Sequence, residues 1–307
     1  MSISELFASI EIQDGPTVAT VGTFDGVHLG HQALLKQLQC EAKARSAISV
    51  ALVFKEQPRA FIKPDFNVSY ICNLKTRRNI LMEIGIDQII ELDFGTAIQK
   101  LSAEEFVCEL QHLFGLNALI VGPNAKIGFD RLGIEKLSLS KKLSNVDFIE
   151  APPKIVNGCA VSSSAIRNAI VKGHCESAAI MLGRNYSISG VIIEGDRRGR
   201  ELGFPTANIQ PDSTITVPGN GIYATIVEIN GKSHKAATSI GVRPTFETSG
   251  VRTIETFILD YDGDLYGQQM QIEFISRTRS EIAFESTEKL ITQMNKDVDE
   301  VRKILAR

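Results

Sequence analysis

From residue 16 to about 150, short apolar runs alternate with amphipathic stretches. The runs Thr17–Gly22, Ile48–Phe54, Asp87–Leu92 and Asn117–Val121 read as strands, and helical periodicity falls between them over His31–Arg45, Leu74–Ile84 and Ser102–Phe114. This alternation predicts an α/β unit, a doubly wound parallel sheet with helices on both faces. Ligands of such sheets bind beyond the carboxyl ends of the strands, so the loop after the first strand is the first place to look. After Arg184 the pattern turns β-rich, with runs at Tyr186–Glu194, Ile222–Ile229, Lys235–Val242, Thr253–Asp260 and Met270–Ile275. Asn230-Gly231 and Asp262-Gly263-Asp264 supply tight-turn chemistry between them. The second half therefore predicts a small antiparallel β-barrel closed by a helix over Ser286–Ala306. The expected modules are 1–184 and 185–307.

A chain of 307 residues is long enough for two such cores. Its 33 Lys and Arg against 36 Asp and Glu are nearly balanced in each half, which argues against a nucleic-acid surface. No apolar tract approaches the roughly 20 residues that span a bilayer. The opening MSISELFASIEIQDG lacks the basic and apolar regions of a secretory signal, so the expected location is the cytoplasm, with no membrane partner. Cys40, Cys72, Cys108, Cys159 and Cys175 are scattered without CxxC spacing, and they suggest neither a disulfide framework nor a thiolate metal site.

Two segments carry chemistry. The first, TVATVGTFDGVHLGHQALLKQLQ, passes from a strand through a glycine-punctuated turn into a helix. A helix N-terminus offers free N–H groups to an anion, and Gly22, Gly26 and Gly30 permit close backbone approach. His28 and His31, three residues apart, can lie on one face and donate to phosphate oxygens. Solvated turn histidines remain an alternative, as does a metal pair, although no third ligand is near. The second segment runs from Gly195 to Asn208 and includes Arg200, Gly203, Pro205 and Thr206. Its backbone can cradle phosphates, and the Thr206 hydroxyl and Asn208 carbonyl are hard oxygen ligands suited to Mg²⁺. A charged surface hairpin is the plain alternative.

The motifs GTFDGVHLGH and Val161-Ser162-Ser163-Ser164-Ala165-Ile166-Arg167 resemble the HxGH and SSTxIR signatures of bacterial FAD synthetases. Leu202-Gly203-Phe204-Pro205-Thr206-Ala207-Asn208 resembles the riboflavin kinase signature. Gly221-Ile222-Tyr223, Ile240–Phe246, Glu255, Asp264–Gly267 and Arg279–Phe284 follow in that family's order. The chain thus resembles the bifunctional riboflavin kinase / FMN adenylyltransferase family over residues 16 to 302. The resemblance implies two reactions. Riboflavin and ATP would give FMN at the barrel, with Mg²⁺ on Thr206 and Asn208, Glu255 as general base, and Gly195, Arg200, Gly203, Pro205 and Arg279 around the substrates. FMN and ATP would give FAD and pyrophosphate at the sheet, through His28, His31 and Arg167, with Gly22, Phe24, Asp25, Gly30, Asn124, Ser163 and Ser164 holding the nucleotide. Ser163 or Ser164 is also expected to cap its helix. The partners implied are riboflavin, FMN, FAD and ATP.

The chain departs from the family pattern at Glu56-Gln57-Pro58 and at Gly122–Gly128, where Ala125 and Ile127 replace rings. Less aromatic surface for a flavin is expected there. A kinase-only enzyme and a flavin carrier on the same fold are the rival readings.

Overall fold

The structure is a computed structural model that describes residues 15–62, 65, 67–195, 199, 202–242 and 252–306. Its chain falls into two compact units, Met1–Val68 with Asn73–Ser162, and Ser69–Cys72 with Ser163–Arg307.

The first unit is built on five strands: β1 (Thr17–Gly22), β2 (Ile48–Phe54), β3 (Gln88–Leu92), β4 (Leu116–Val121) and β5 (Asp147–Glu150). They lie in the order β3-β2-β1-β4-β5, and every pairing is parallel. Chain order reverses between β1 and β4, so the switch point lies at their carboxyl ends. The strands are apolar on both faces because helices cover both. Val50 and Leu52 of β2 pack with Phe106 and Leu110 of helix Ala103–Phe114, whereas Ala51 and Val53 face Leu35 and Leu38 of helix Leu29–Ala44 and Leu81 of helix Leu74–Ile84. These three helices are α1 (Leu29–Ala44), α2 (Leu74–Ile84) and α3 (Ala103–Phe114). Each starts at a side-chain cap, His28, Asn73 and Ser102 respectively. Ser102 and Glu105 form a reciprocal capping box. A two-stranded hairpin, β6 (Ile155–Val156) with β7 (Cys159–Ala160), ends this unit.

In the second unit, helices α4 (Ser163–Val171) and α5 (Cys175–Leu182) precede a barrel of six strands. These are β8 (Tyr186–Ile193), β9 (Thr206–Pro211), β10 (Gly221–Ile229), β11 (Lys232–Val242), β12 (Arg252–Ile258) and β13 (Gln269–Arg279), closed in the order β10-β11-β12-β9-β8-β13 with antiparallel pairing. The hairpin at Asn230-Gly231 has positive φ at both residues, 51° and 72°, as a type I′ turn requires. Along β12, Ile254, Thr256 and Ile258 are buried, and Glu255 and Phe257 alternate to the opposite face. The buried Thr256, Thr238 and Thr225 satisfy one another through hydroxyl contacts of 3.1 and 2.8 Å, and Thr225 also donates to the Ala236 carbonyl. Helix α6 (Thr287–Ile304), capped by Ser286, packs on the barrel through Val301, Ala224 and Leu259. Helices α4 and α5 dock on the same barrel: the Gly219 N–H donates to the Ile170 carbonyl, and the Ser276 hydroxyl donates to Glu176.

Arg77 shows how the first unit fixes the ends of its strands. It is 2% exposed, and its guanidinium donates to the carbonyls of Thr23, Phe54 and Lys55 at 2.8, 3.1 and 2.8 Å. These carbonyls lie at or just after the ends of β1 and β2, and a buried carbonyl without a donor is costly. Arg77→Leu should therefore destabilise the first unit by about 2–4 kcal/mol, seen as faster amide exchange across β1 and β2. Unchanged exchange in those strands would show that the carbonyls find other donors.

Candidate active sites

The loop after β1 carries strain where the first chemistry was expected. Phe24, Val27 and Gly26 have φ of 50°, 37° and 80°, and a β-branched residue in that region is unusual. Burial of Phe24 and Val27 at 3% and 0% exposure holds them there. The turn delivers His28 to the N-cap of α1, where its Nδ1 accepts the His31 N–H at 3.2 Å. With Nδ1 accepting, Nε2 is the ring nitrogen of His28 left to donate. A Cβ on Gly30 would lie 3.1 Å from the His28 ring, so glycine is what lets the ring fold over the first helical turn. The two imidazoles stack at 3.7 Å with planes 13° apart, and Phe24 closes on His31 edge-on at 5.2 Å. No acidic residue occupies the first turn of α1, which leaves its positive end available to an anion.

Burial pushes the His31 imidazole well below its ordinary 6.5, and the charge of His28 adds in the same direction. Its buried Nδ1 has no hydrogen-bond partner among the described residues. A phosphate oxygen beside the stacked rings would oppose both effects.

At the switch point lies a cavity of about 570 Å³, bordered by Val21, Gly22 and Thr23 on one side and by Val121 and Ala125 on the other. His28 and His31 are not in its wall. Ala125 and Ile127 supply no rings, as the sequence says, but Phe54, Phe61, Phe94 and Phe129 line the same space. Phe54 and Phe94 meet edge-on at 5.2 Å. Arg59, Lys126 and Arg131 add positive charge to this wall. Four phenylalanines from other positions of the chain thus line the cavity that Ala125 and Ile127 border. Asn124 follows β4 in the left-handed conformation, φ 55°, and is exposed.

Ser163, Ser164 and Arg167 lie on α4, which belongs to the second compact unit. The helix begins at Ser163, so Ser163 and Ser164 form its first turn and do not cap it, contrary to expectation. Arg167 donates to Ser164 at 3.4 Å.

The second site is organised by barrel register. Thr206 and Asn208 lie on β9, a strand that is not among the apolar runs of the sequence. Being two apart, their side chains share a face. Asn208 pairs directly with Glu255 of β12, and Glu255 pairs with Ser239 of β11 on its other side. Thr206, Ser239 and Glu255 line a cavity of about 290 Å³, roofed by Leu290, Met294 and Val298 of α6. Gly195 covers Asn208, because a Cβ there would lie 2.3 Å from the amide nitrogen. Gly199 accepts the N–H groups of Leu202 and Phe204 at 3.1 and 2.8 Å and fixes the turn through Gly203, φ 87°, and Pro205 into β9. Arg279 is in the cavity wall, where Asp297 of α6 clasps it. Arg200 and the Arg243–Phe246 stretch lie outside the described residues.

Among the described residues no cluster of three or more His, Cys, Asp or Glu could hold a metal. Thr206 and Asn208 offer two neutral oxygens, a set that suits a hard cation whose remaining ligands are phosphate oxygens and water. No helix among the described residues is long and apolar enough to cross a membrane.

The chain thus combines an α/β unit that has a switch-point cavity with a β-barrel unit that has a cavity of its own. The FAD synthetase family matches residues 10–165, and the riboflavin kinase family matches residues 182–305. The chain is 35% identical over 291 residues to the bifunctional riboflavin kinase/FMN adenylyltransferase of Pseudomonas fluorescens, covering 94% of this chain and 93% of the relative. The Listeria monocytogenes protein of the same name is 32% identical over 293 residues, with the same coverage. A solved structure described as a macrolide-efflux protein from Streptococcus pneumoniae superposes with a TM-score of 0.88 at 28% identity, covering 96% of each chain. The chain belongs to the family of bifunctional riboflavin kinase/FMN adenylyltransferases, enzymes that transfer phosphoryl and adenylyl groups.

The depressed pKa of His31 makes the first unit sensitive to acid. The unfolded chain takes up this proton near pH 6.5, whereas the folded chain takes it up only well below that. The stability that neutral His31 contributes is therefore present above 6.5 and is lost as the pH falls through the folded value. On acidification from about pH 7 to about pH 5, His31→Phe should lose less thermal stability than the parent chain. Parallel pH profiles would show that His31 titrates freely in the fold.

Proposed function

We propose that the barrel cavity phosphorylates riboflavin and that the sheet unit adenylylates the resulting FMN, with Ser163, Ser164 and Arg167 assigned to the second reaction from the sequence alone. The observation that carries the first half is the pairing of Glu255 with Asn208, with Thr206 and Glu255 in one cavity. In this reading the terminal ribityl hydroxyl lies against Glu255. Its proton passes to the carboxylate as its oxygen bonds the γ-phosphorus of ATP, and ADP leaves. Thr206 and Asn208 would hold Mg²⁺ beside the ATP phosphates, where the ion would supply positive charge to the transferring group. Gly195 and Gly203 bring backbone close to those phosphates, with Arg200 assigned there from the sequence alone.

The isoalloxazine of FMN fits the switch-point cavity, where Phe54, Phe61, Phe94 and Phe129 offer ring surface and Arg59, Lys126 and Arg131 offer charge for its phosphate. An FMN phosphate oxygen attacks the α-phosphorus of ATP, the bond to the β-phosphate breaks, and pyrophosphate leaves. His28 and His31 receive that charge at the start of α1, with Gly22, Phe24, Asp25, Gly30 and Asn124 shaping the nucleotide site. Catalysis here rests on position and electrostatics, without a general base, because the nucleophile is already charged near neutral pH. We assign adenylyl transfer to residues 1–184 and phosphorylation to 185–307, in a cytoplasmic setting where ATP is available.

Single substitutions should separate the two chemistries. Glu255→Gln keeps size but removes basicity, so FMN formation from riboflavin should fall about 10²–10⁴-fold while supplied FMN is still converted to FAD. His28→Asn retains a capping oxygen for α1 and removes the imidazole, so FAD formation should fall about 10²–10³-fold with FMN formation unchanged. Chromatography of the flavins made by each variant decides the matter. Parental riboflavin turnover in Glu255→Gln would remove Glu255 from the mechanism, and parental FAD formation in His28→Asn would remove His28.

A further inference from the structure

The barrel cavity has two kinds of wall. Strands β9, β11 and β12 contribute Thr206, Ser239 and Glu255, whereas α6 and residues 280–286 contribute Leu290, Met294, Val298 and Phe284. Within the second wall one ion pair is built with unusual completeness. Arg279 Nε donates to Asp297 Oδ1 at 2.8 Å, and Nη2 donates to Oδ2 at 2.6 Å. Gln293 Nε2 donates to Oδ1 at 2.9 Å, and Arg279 Nη1 donates to the Ser280 carbonyl at 2.9 Å. The side chains of Arg279 and Asp297 are 20% and 9% exposed, so the pair is largely desolvated. A bidentate, buried pair fixes the guanidinium plane as well as its position. The same guanidinium lies 6.0 Å from the centre of the Phe284 ring.

The pair also closes a loop. Arg279 ends β13 and Asp297 lies within α6, so their bond ties down the irregular segment 280–286 that carries Glu281, Ile282 and Phe284 into the cavity wall. Stability alone is a weak reason for such a pair, because an apolar replacement of similar volume would serve as well or better. Its placement in a cavity wall, next to an aromatic ring and in the same cavity as the proposed base, calls for a role at the ligand.

We propose that Asp297 is a positioning residue for riboflavin: it holds Arg279 and the 280–286 segment in the shape that receives the flavin ring, and so sets flavin affinity without touching the phosphoryl transfer itself. This rests on the assignment of riboflavin phosphorylation to the barrel cavity. Paired with Asp297, Arg279 presents a flat, polar edge, within an ion pair of no net charge, to a ring that is itself flat and uncharged. The apolar side chains of α6 cover the ring face, and the ribityl chain runs towards Glu255.

The test uses the full chain and two variants, Asp297→Asn and Gln293→Met, of which the second removes one donor to Asp297 and keeps the ion pair. Asp297→Asn should raise the KM for riboflavin at least tenfold and weaken riboflavin binding equally, read from the ligand's own fluorescence. It should leave kcat within about threefold, with the KM for ATP and the conversion of supplied FMN to FAD unchanged. Gln293→Met should move the riboflavin KM in the same direction by a smaller factor. In a double-mutant cycle, adding Arg279→Gln to Asp297→Asn should cost little beyond the single changes, because both remove one device. Riboflavin KM at the parental value in a folded Asp297→Asn would overturn the proposal, as would equal losses in kcat and in both KM values. If Asp297→Asn does not fold, an unchanged riboflavin KM in Gln293→Met overturns it alone. A parent chain that makes no FMN would instead sink the assignment of the cavity.

Discussion

Closure of the six-stranded barrel fixes the register on which the second chemistry depends. In a closed sheet no strand can slip without breaking every other pairing, and a one-residue shift would turn each side chain to the opposite face. Thr256 would then leave the ladder that links Thr225, Thr238 and Thr256, and Glu255 would point into the barrel. The buried hydroxyls are satisfied only in the observed register, so the packing of the interior also determines what the outer face presents. On that face β9, β11 and β12 bring Thr206, Ser239 and Glu255 to one cavity, and α6 covers them.

The first unit solves a related problem with a helix end. Its parallel strands reverse order between β1 and β4, and the cavity opens there. A strained turn, held by the buried Phe24 and Val27, places His28 as the cap of α1 and stacks it on His31. The stack is stable only while at most one ring is charged, and burial keeps His31 neutral. In the proposed adenylyl transfer a triphosphate at the start of α1 would change that balance.

Much of this architecture is legible in the sequence, for physical reasons that also explain the gaps. Buried strands and amphipathic helices announce themselves by period, and Thr17–Gly22, Ile48–Phe54 and Leu74–Ile84 have the predicted bounds. Strand β9 does not announce itself: Thr206-Ala207-Asn208-Ile209-Gln210-Pro211 has weak strand propensity, and its neighbours β8 and β12 impose its conformation. Strand β5 is an edge strand with exposed ends, so its apolar signal is faint. The motif residues are readable because backbone approach and phosphate contact demand particular types at fixed spacing. The rings of the switch-point cavity are not, since Phe54, Phe61, Phe94 and Phe129 converge only in the fold. Asp297 left one trace, an acid on the helix stripe that also carries Leu290, Met294 and Val301. Nothing in the sequence joins that acid to Arg279.

Two sites that act in succession, each with its own residues, are the core of this account. The most direct test mixes Glu255→Gln with His28→Asn in equal amounts and supplies riboflavin, ATP and Mg²⁺. Neither variant alone should turn riboflavin into FAD at an appreciable rate. The mixture should do so, because FMN made in the barrel of one can be adenylylated by the sheet unit of the other. A mixture that makes no FAD, while each variant retains its own half-reaction, would contradict two separable sites joined by free FMN.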